Sequence, residues 1–406
     1  MTTVAVGYLH DDPVAEFYDR HPYPPPVAHF DAQTAGEHDS YAERVEHHRV
    51  WPERAPDSVT TVLIAGCGTS QAVHHAVRRP SARVVAVDVS AAAVWHTREL
   101  ATRHGVTNLV AHRLPVERVH ELGQRFDHVV CTGVLHHLAD PALGLSRLSE
   151  VLAPGGALTL MVYARYGRTG VSLLQEYCRR LGITSSEDEL ADLVATLREI
   201  PLGHPLSRLL RESRDFYNDD ALADALLNPR ERAYSVPETF DLLAHAGLRF
   251  GRWVHQAPYL PGCGSVGETP HAARIAALPL ADQFAAVELF RGTITRHAMV
   301  AYAATDPLSG HLDFSDPDLR RWRPIRVPSA TVVEERTPPG AAAALLNRAH
   351  TCTDLVMFVT VSELEMFRRI DGERSISDLG AEAMPFVERL FRHDLVVIDA
   401  SGEVRP

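Results

Sequence analysis

Short apolar runs without charged residues alternate with longer amphipathic stretches between residues 57 and 163. Apolar runs of this kind predict strands that are buried on both faces. On this pattern we expect strands at 60–65, 83–88, 107–112, 126–132 and 157–163. The stretches between them predict helices at 71–79, 90–104 and 140–152. Strands that alternate with helices in this way indicate an α/β fold with a doubly wound parallel sheet.

The alternation breaks after the fifth predicted strand. Residues 165–232 are polar, rich in Arg, Leu and Glu, and helical in pattern, which predicts a helical insertion. A helix at 237–246 and strands at 248–255 and 294–303 follow and bring the sheet to seven strands. An insertion after the carboxyl end of a strand lies at the edge where ligands bind, so we expect it to cover the substrate site. The main domain is therefore predicted to span residues 56–305.

The two ends of the chain depart from this pattern. Residues 1–55 contain four prolines between positions 22 and 26, which excludes a helix or a central strand there. The segment is either a polyproline connector or an ordered lid that carries Tyr18, His21 and Tyr23. Residues 306–406 begin with scattered prolines. They continue with predicted helices at 361–370, 375–382 and 385–393 and a strand at 395–399, which indicates a small α+β domain.

Composition narrows the possible functions. The chain has 406 residues, is 45% hydrophobic and carries a net charge of -12, which argues against a nucleic-acid surface over the whole molecule. No apolar run approaches the roughly 20 residues of a membrane span, and the N-terminus lacks a signal pattern, so we expect a cytoplasmic protein. The five cysteines form no CxxC pair, which predicts free thiols. The paired histidines are adjacent and point apart, so we expect no metal site.

A glycine-containing turn carries the clearest chemistry. Val62 to Ala65 is an apolar strand, and Gly66 to Gly68 ends it with residues that allow a ligand to approach the backbone closely. Asp88 ends the next strand, where a carboxylate can accept hydrogen bonds from both ribose hydroxyls. The arrangement predicts a nucleoside pocket. Because position 71 is Gln, the three-glycine fingerprint of dinucleotide-binding proteins is incomplete, which weakens a nicotinamide or flavin interpretation.

The same residues resemble the class I S-adenosylmethionine-dependent methyltransferases. The stretch Gly66-Cys67-Gly68-Thr69 resembles the first motif of that family. Residues 133–141 and 152–156 resemble two later motifs. The sequence departs from the family at Ile64 and Ser70, and also near Leu114, where an acid that meets adenine is missing. The resemblance implies a seven-stranded Rossmann-like fold and S-adenosyl-L-methionine as the cofactor. The expected cofactor-binding residues are Tyr18, Ala65, Gly66, Cys67, Gly68, Gln71, Asp88, Val89, Leu114, Thr132, Gly133 and Val134.

Methyl transfer to an amine needs the neutral amine, whereas the ammonium form prevails at neutral pH. A nearby His, Tyr or carboxylate should therefore take the proton or desolvate the group. The candidates are His136, His21, Tyr23 and Asp215. His136 follows the tip of the fourth strand, and Asp215 belongs to a polar and aromatic cluster within the insertion.

Two further resemblances suggest a substrate. The segment Glu16 to Pro26 is similar to the start of a bacterial methyltransferase subgroup. Residues 306–406 resemble a winged-helix module and the peptide-recognition domain of peptide-modifying enzymes. We therefore expect N-methylation of a peptide amine in a bacterial natural-product pathway. Methylation of a small-molecule amine or hydroxyl and a cofactor-binding regulatory protein without catalysis remain alternatives. A structural or dimerising role of the C-terminal domain also stays open, as does the oligomeric state, and no nucleic-acid or membrane partner is expected.

Overall fold

A computed structural model describes residues 12–27, 40–212, 218–306 and 312–402. The chain divides into two compact units. The first contains residues 1–37, 60–235 and 295–297, and the second contains 38–59, 236–294 and 298–406. This division differs from the predicted boundaries, because residues 38–59 and 236–294 group with the C-terminal residues.

The main sheet has seven strands, as the sequence predicted. They are β1 (Thr61–Ala65), β2 (Arg83–Asp88), β3 (Leu109–Arg113), β4 (Phe126–Thr132), β5 (Leu152–Tyr163), β6 (Leu248–Trp253) and β7 (Arg296–Ala303). Their order in the sheet is β3-β2-β1-β4-β5-β7-β6. The pairs β1–β2, β2–β3, β1–β4 and β4–β5 are parallel, whereas β6 and β7 are antiparallel. The strand order changes direction between β1 and β4, and ligands of open α/β sheets bind at such a switch point.

The first helices and strands follow from local sequence. Two helices, α1 (Pro13–Arg20) and α2 (Ser40–Val50), precede the first strand. The helices that alternate with the first five strands are α3 (Gln71–Arg78), α4 (Ala91–Arg103) and α5 (Pro141–Glu150). Ser90 and Asp140 cap α4 and α5 by accepting hydrogen bonds from the N–H groups of Ala93 and Leu143. The third strand begins at Leu109 rather than at the predicted position 107, and the Asn108 side chain before it donates to the carbonyls of Ala76, Arg79 and Ala82.

The predicted insertion is helical in its described part. It contains α6 (Thr169–Leu181), α7 (Glu187–Arg198), α8 (Ser207–Glu212) and α9 (Asp219–Leu227). Leucines and small side chains of these helices form their own buried cluster. Phe17 of α1 packs against Leu190 and Ala223 of the insertion, so the N-terminal helix and the insertion share a core.

The second unit combines three parts of the sequence. It contains α2, α10 (Val236–His245), α11 (Ala272–Ala276) and α12 (Leu280–Arg291), followed by a C-terminal part with two small sheets. The order of one sheet is β11 (Val356–Val359), β10 (Ala343–Asn347), β9 (Ala330–Val333), and the other pairs β12 (Val396–Asp399) with β8 (Arg323–Arg326). The remaining helices are α13 (Val361–Arg369), α14 (Ile376–Leu379) and α15 (Ala383–Arg392).

Contacts explain why α2 groups with the C-terminal part. Val45 of α2 belongs to a buried cluster with Ile325, Val327 and Val397. Arg44 donates to Glu373 at 2.6 Å and to the Gly372 carbonyl at 2.8 Å. The predicted N-terminal segment 1–55 is therefore divided, since α1 belongs to the first unit and α2 to the second. Among the described helices, none is long and apolar enough to cross a membrane.

Candidate functional site

Two glycines determine the backbone conformation of the turn after β1. Gly66 and Gly68 have φ angles of 78° and 54°, which side chains other than glycine rarely adopt. The N–H groups of Gly66 and Cys67 donate to the Val87 carbonyl at 2.8 and 3.0 Å, which joins the turn to β2. A Cβ atom on Gly66 would lie 2.1 Å from Cγ2 of Val134. The glycines are therefore required both by backbone conformation and by the packing around the turn.

Asp88 faces the turn from the end of β2. Its carboxylate accepts hydrogen bonds from the N–H groups of Gly68 (3.0 Å) and Ser90 (2.9 Å). Burial raises the pKa of Asp88, and these backbone donors oppose that effect. A fixed acceptor at the tip of the second strand can bind ribose hydroxyls. The structure thus places Asp88 beside the glycine turn, and its binding of ribose stays a prediction.

The tip of β4 forms the next side of the site. The Gln71 amide donates to the Thr132 hydroxyl at 2.7 Å, so the start of α3 is tied to this tip. Gly133 has a φ of 79°, and its N–H donates to the Met161 carbonyl at 3.2 Å. Val134 contacts the glycine turn from this side. The structure therefore brings Gln71, Thr132, Gly133 and Val134 together around the turn.

The segment after β3 closes the site near the expected adenine position. Leu114 is buried, and its N–H donates to the Asp88 carbonyl at 2.9 Å. The Arg113 side chain donates to the Val89 carbonyl at 3.0 Å. An adenine here would therefore meet an apolar side chain and backbone groups. Packing rather than an acidic contact remains our prediction for adenine binding.

Ala65 and Cys67 are buried within the fold. Ala65 is fully buried at the end of β1. The Cys67 thiol lies 3.7 Å from the Thr97 hydroxyl, and burial raises its pKa. A buried thiol with a raised pKa is a poor nucleophile, so Cys67 contributes its backbone to the turn.

The described N-terminal segment 12–27, which we call the strap, covers the glycine turn. The Thr69 hydroxyl donates to the Pro24 carbonyl at 2.7 Å, and a Cβ atom on Gly68 would lie 2.8 Å from the Tyr23 carbonyl oxygen. Asp19 accepts from the Ser90 hydroxyl at 2.6 Å and from the Ala92 N–H at 3.1 Å. The strap is therefore an ordered part of the first unit.

Two side chains of the strap bind acidic residues of α9. The Tyr18 hydroxyl donates to Asp224 at 2.7 Å and accepts from the Asn228 amide at 3.1 Å. His21 Nδ1 lies 3.0 Å from Asp220. Asp220 and Asp224 are one helical turn apart, so both carboxylates lie on the same face of α9. Sequence analysis missed Asp224, although this i, i+4 spacing after a capping Asn was a signal for it.

An aromatic wall follows the tip of β4. We use this name for Tyr18, His136, His137 and Tyr163. The ring centroids of His136 and Tyr163 are 4.0 Å apart, those of His136 and His137 are 4.2 Å apart, and those of Tyr18 and His137 are 5.9 Å apart. The structure thus brings the predicted residues Tyr18 and His136 into one cluster.

The two histidines of the wall differ in their hydrogen bonds. His137 Nδ1 contacts the Arg230 carbonyl at 2.8 Å, which holds this ring in place. His136 is 1% exposed, and neither of its ring nitrogens finds a partner among the described residues. Burial, helped by the neighbouring His137 and Arg168, holds the pKa of His136 well below its usual value. His136 is therefore a neutral imidazole with unused hydrogen-bonding capacity.

Tyr163 is fixed from its other face. The Arg168 guanidinium lies 3.5 Å from the ring centroid of Tyr163 and donates to Glu231 at 2.9 Å. Burial raises the pKa of the Tyr163 hydroxyl, with a smaller contribution from the charge of Asp224. Among the predicted catalytic residues, Tyr23 places its carbonyl oxygen beside Gly68 of the glycine turn. Asp215 lies outside the described residues, so its role stays a prediction.

The residues around the turn fit S-adenosyl-L-methionine. We call Gly66, Gly68, Asp88, Thr132 and Gly133 the cofactor edge. It combines a glycine turn with positive φ angles, the half-buried carboxylate of Asp88 for ribose, and strand tips at the switch point of the sheet.

Residues 63–158 match the family model described as "Methyltransferase domain". This range contains the whole cofactor edge and His136. A Synechococcus sp. protein described as uncharacterized is 29% identical over 326 residues, which cover 77% of this chain and 76% of that protein. The ubiquinone biosynthesis O-methyltransferase of Acinetobacter baumannii is 29% identical over 139 residues, or 32% of this chain and 58% of that enzyme.

Solved structures support the fold. PKMT2 from Rickettsia typhi has a TM-score of 0.61 and 13% sequence identity, covering 89% of this chain and 75% of that chain. Its complex with AdoHcy has a TM-score of 0.63 and 14% identity, covering 93% of this chain and 77% of that chain. At these identities the likeness concerns the fold alone. The winged-helix and subgroup resemblances of the sequence stay predictions.

Proposed function

We propose that this S-adenosylmethionine-dependent methyltransferase methylates the nitrogen of a peptide amine in a bacterial natural-product pathway. The observation that carries this proposal is His136, a neutral buried imidazole whose two ring nitrogens have no partner in the described part of the chain. Such a group can accept a hydrogen bond from an entering N–H group.

When bound, S-adenosyl-L-methionine supplies an electrophilic methyl group, so the protein mainly has to align the acceptor and exclude water. The cofactor edge orients the nucleoside through Asp88 and the glycine turn. His136 and Tyr163 form a dry surface, since both rings are packed against each other. Dry surroundings favour the neutral amine over the ammonium form.

The role of His136 follows from its pKa. A strongly lowered pKa makes His136 a weak proton acceptor, so it is poorly suited to hold the proton of the amine. It is suited to accept a hydrogen bond from the amine and to direct the nitrogen lone pair. His21 has a carboxylate partner, Asp220, and is the candidate for a later proton transfer.

A peptide could bind to the C-terminal sheet. β11 is the edge strand of the sheet β11-β10-β9, and its Phe358 is 50% exposed. Val356 and Phe358, two residues apart on this strand, line a surface cavity of 710 Å³. Met357 and Val359 point into the core on the other face. An exposed edge beside a cavity is the arrangement that lets an extended peptide add a strand.

The test uses the full-length chain with methyl-labelled S-adenosylmethionine and a size-fractionated extract of the source cell. The variants are Phe358→Ser and the matched control Val333→Ser, which is 37% exposed on the opposite edge strand β9. We expect label in a peptide fraction and a KM for that peptide that rises about tenfold only in Phe358→Ser, because one apolar anchor is lost.

Two other outcomes would each support one of the alternative functions. Label in a small metabolite that is insensitive to Phe358→Ser would exclude the peptide proposal and support methylation of a small amine or hydroxyl. If S-adenosylmethionine binds but neither label nor S-adenosylhomocysteine exceeds the level of an Asp88→Asn control in any fraction, the regulatory binding protein is favoured.

A further inference from the structure

Three side chains from separate parts of the sequence meet in the second unit. His255 lies two residues after β6, His350 follows β10, and Asp394 lies between α15 and β12. One ligand atom of each, a ring nitrogen from the histidines and a carboxylate oxygen from Asp394, lies within 4.8 Å of the others. Two imidazoles and one carboxylate at these distances form a donor set that suits zinc. None of these residues belongs to the cofactor edge or the aromatic wall.

Both histidines have unused hydrogen-bonding capacity. Their Nδ1 atoms are buried and have no partner among the residues that the structure describes. The side chain of His350 is only 3% exposed. A buried polar atom without a partner is unfavourable, so these nitrogens favour a further group at this place.

The carboxylate of Asp394 is fixed by several partners. Its Oδ2 atom accepts from the Ala257 N–H at 2.9 Å and lies 3.1 Å from His350 Nε2. The Asn347 amide donates to the Asp394 carbonyl at 2.7 Å, which holds a backbone with a φ of 55°. Metal-binding carboxylates are commonly held by such second partners, because these fix the direction of the ligand.

The Arg252 side chain lies next to Asp394 of this cluster. Its Nη2 atom lies 3.5 Å from Oδ1 of Asp394, the oxygen that does not face His350. The Arg252 guanidinium forms an ion pair with Asp394 and would compete with a cation for this carboxylate. We therefore expect weaker cation binding here than at a site with four protein ligands.

We propose that His255, His350 and Asp394 bind one zinc-type divalent cation, which joins the ends of β6 and β10 to the start of β12. Three protein ligands leave a fourth tetrahedral position for water. His393, the neighbour of Asp394 in sequence, lines the 710 Å³ surface cavity. From the adjacent histidine pairs and the isolated cysteines, the sequence predicted no metal site, whereas the three ligands proposed here are far apart in sequence.

The experiment titrates the full-length, chelator-treated chain with Co²⁺, whose visible absorption reports tetrahedral coordination, and with Zn²⁺ in competition. The variants are His255→Gln and His350→Gln, and the control is the exposed His120→Gln. We expect one equivalent of Co²⁺ in the wild type and in the control. We expect at least about tenfold weaker binding in both ligand variants.

Two results would overturn the proposal. One is a wild-type chain that binds no cation with a tetrahedral spectrum. The other is binding that is unchanged in His255→Gln and His350→Gln, which would place the cation elsewhere. Far-ultraviolet circular dichroism of each variant in chelator verifies the fold, and the wild-type titration remains decisive if a variant does not fold.

Discussion

The cofactor edge and the aromatic wall belong to the same unit but are built differently. The edge is held by backbone N–H groups and glycines that come from neighbouring strands. The wall is held by side chains, such as the contact from Tyr18 to Asp224, which join residues far apart in sequence. The edge therefore depends on backbone geometry and one carboxylate, whereas the wall depends on ring packing around His136, whose imidazole has no hydrogen-bond partner within the described ranges. This difference predicts that the edge controls cofactor affinity and the wall controls transfer to the acceptor.

The largest expected effect is at Asp88. We predict that Asp88→Asn lowers the affinity for S-adenosylhomocysteine about 100-fold, since a charged acceptor for two hydroxyl groups is lost. Isothermal titration calorimetry measures this affinity. The control is Asp127→Asn, whose carboxylate binds Thr60 and Thr61 at the other end of the sheet. An equal loss in both variants would mean that Asp88 only maintains the fold.

The second effect concerns His136 of the aromatic wall and the dependence of the free energy of unfolding on pH. Because the pKa of His136 in the folded chain lies well below 6.5, the unfolded chain binds more protons between these values. The free energy of unfolding should therefore fall as the pH drops below 6.5, and at pH 5 this histidine should account for at most about 2 kcal/mol of that loss. Urea unfolding at pH 7 and pH 5 should show a smaller difference between the two pH values in His136→Asn. An unchanged difference would contradict a neutral buried imidazole.

A smaller effect is expected at Gly68. Gly68→Ala should weaken S-adenosylhomocysteine binding about tenfold, because the new Cβ atom would lie 2.8 Å from the Tyr23 carbonyl and displace the strap. Gly105→Ala is the matched control, since Gly105 has a φ of 64° and open space around it. In both variants an alanine must adopt a positive φ, which strains the backbone by about 1–2 kcal/mol. A similar loss of affinity in both would remove the strap from cofactor binding.

The smallest effect is expected at Tyr18. Tyr18→Phe removes one hydrogen bond to buried Asp224, so the free energy of unfolding should fall by about 1 kcal/mol. The control is the exposed Tyr177→Phe, which should leave stability unchanged. Cofactor affinity should stay constant in both variants. A large loss of affinity in Tyr18→Phe would mean that the hydroxyl belongs to the cofactor edge.

The sequence predicted the edge better than the wall for a physical reason. Gly66, Gly68 and Asp88 are close in sequence, and the two glycines follow from local backbone requirements, so pattern alone was enough to select them. His136 was found through its position after β4. Asp224 was missed because its partner, Tyr18, is about two hundred residues away and only tertiary packing joins them. The same holds for His255, His350 and Asp394, and for the grouping of α2 with the C-terminal sheets.

The most direct test of this account is His136→Asn, assayed for both cofactor affinity and methyl transfer to the labelled acceptor fraction. His128→Asn is the control, since His128 is also buried but has partners in Arg79 and Thr159. We predict that His136→Asn binds S-adenosylhomocysteine as the wild type does, while its transfer rate falls about 100-fold. A parallel loss of affinity and rate, or an unchanged rate, would contradict the separation of the cofactor edge from the aromatic wall.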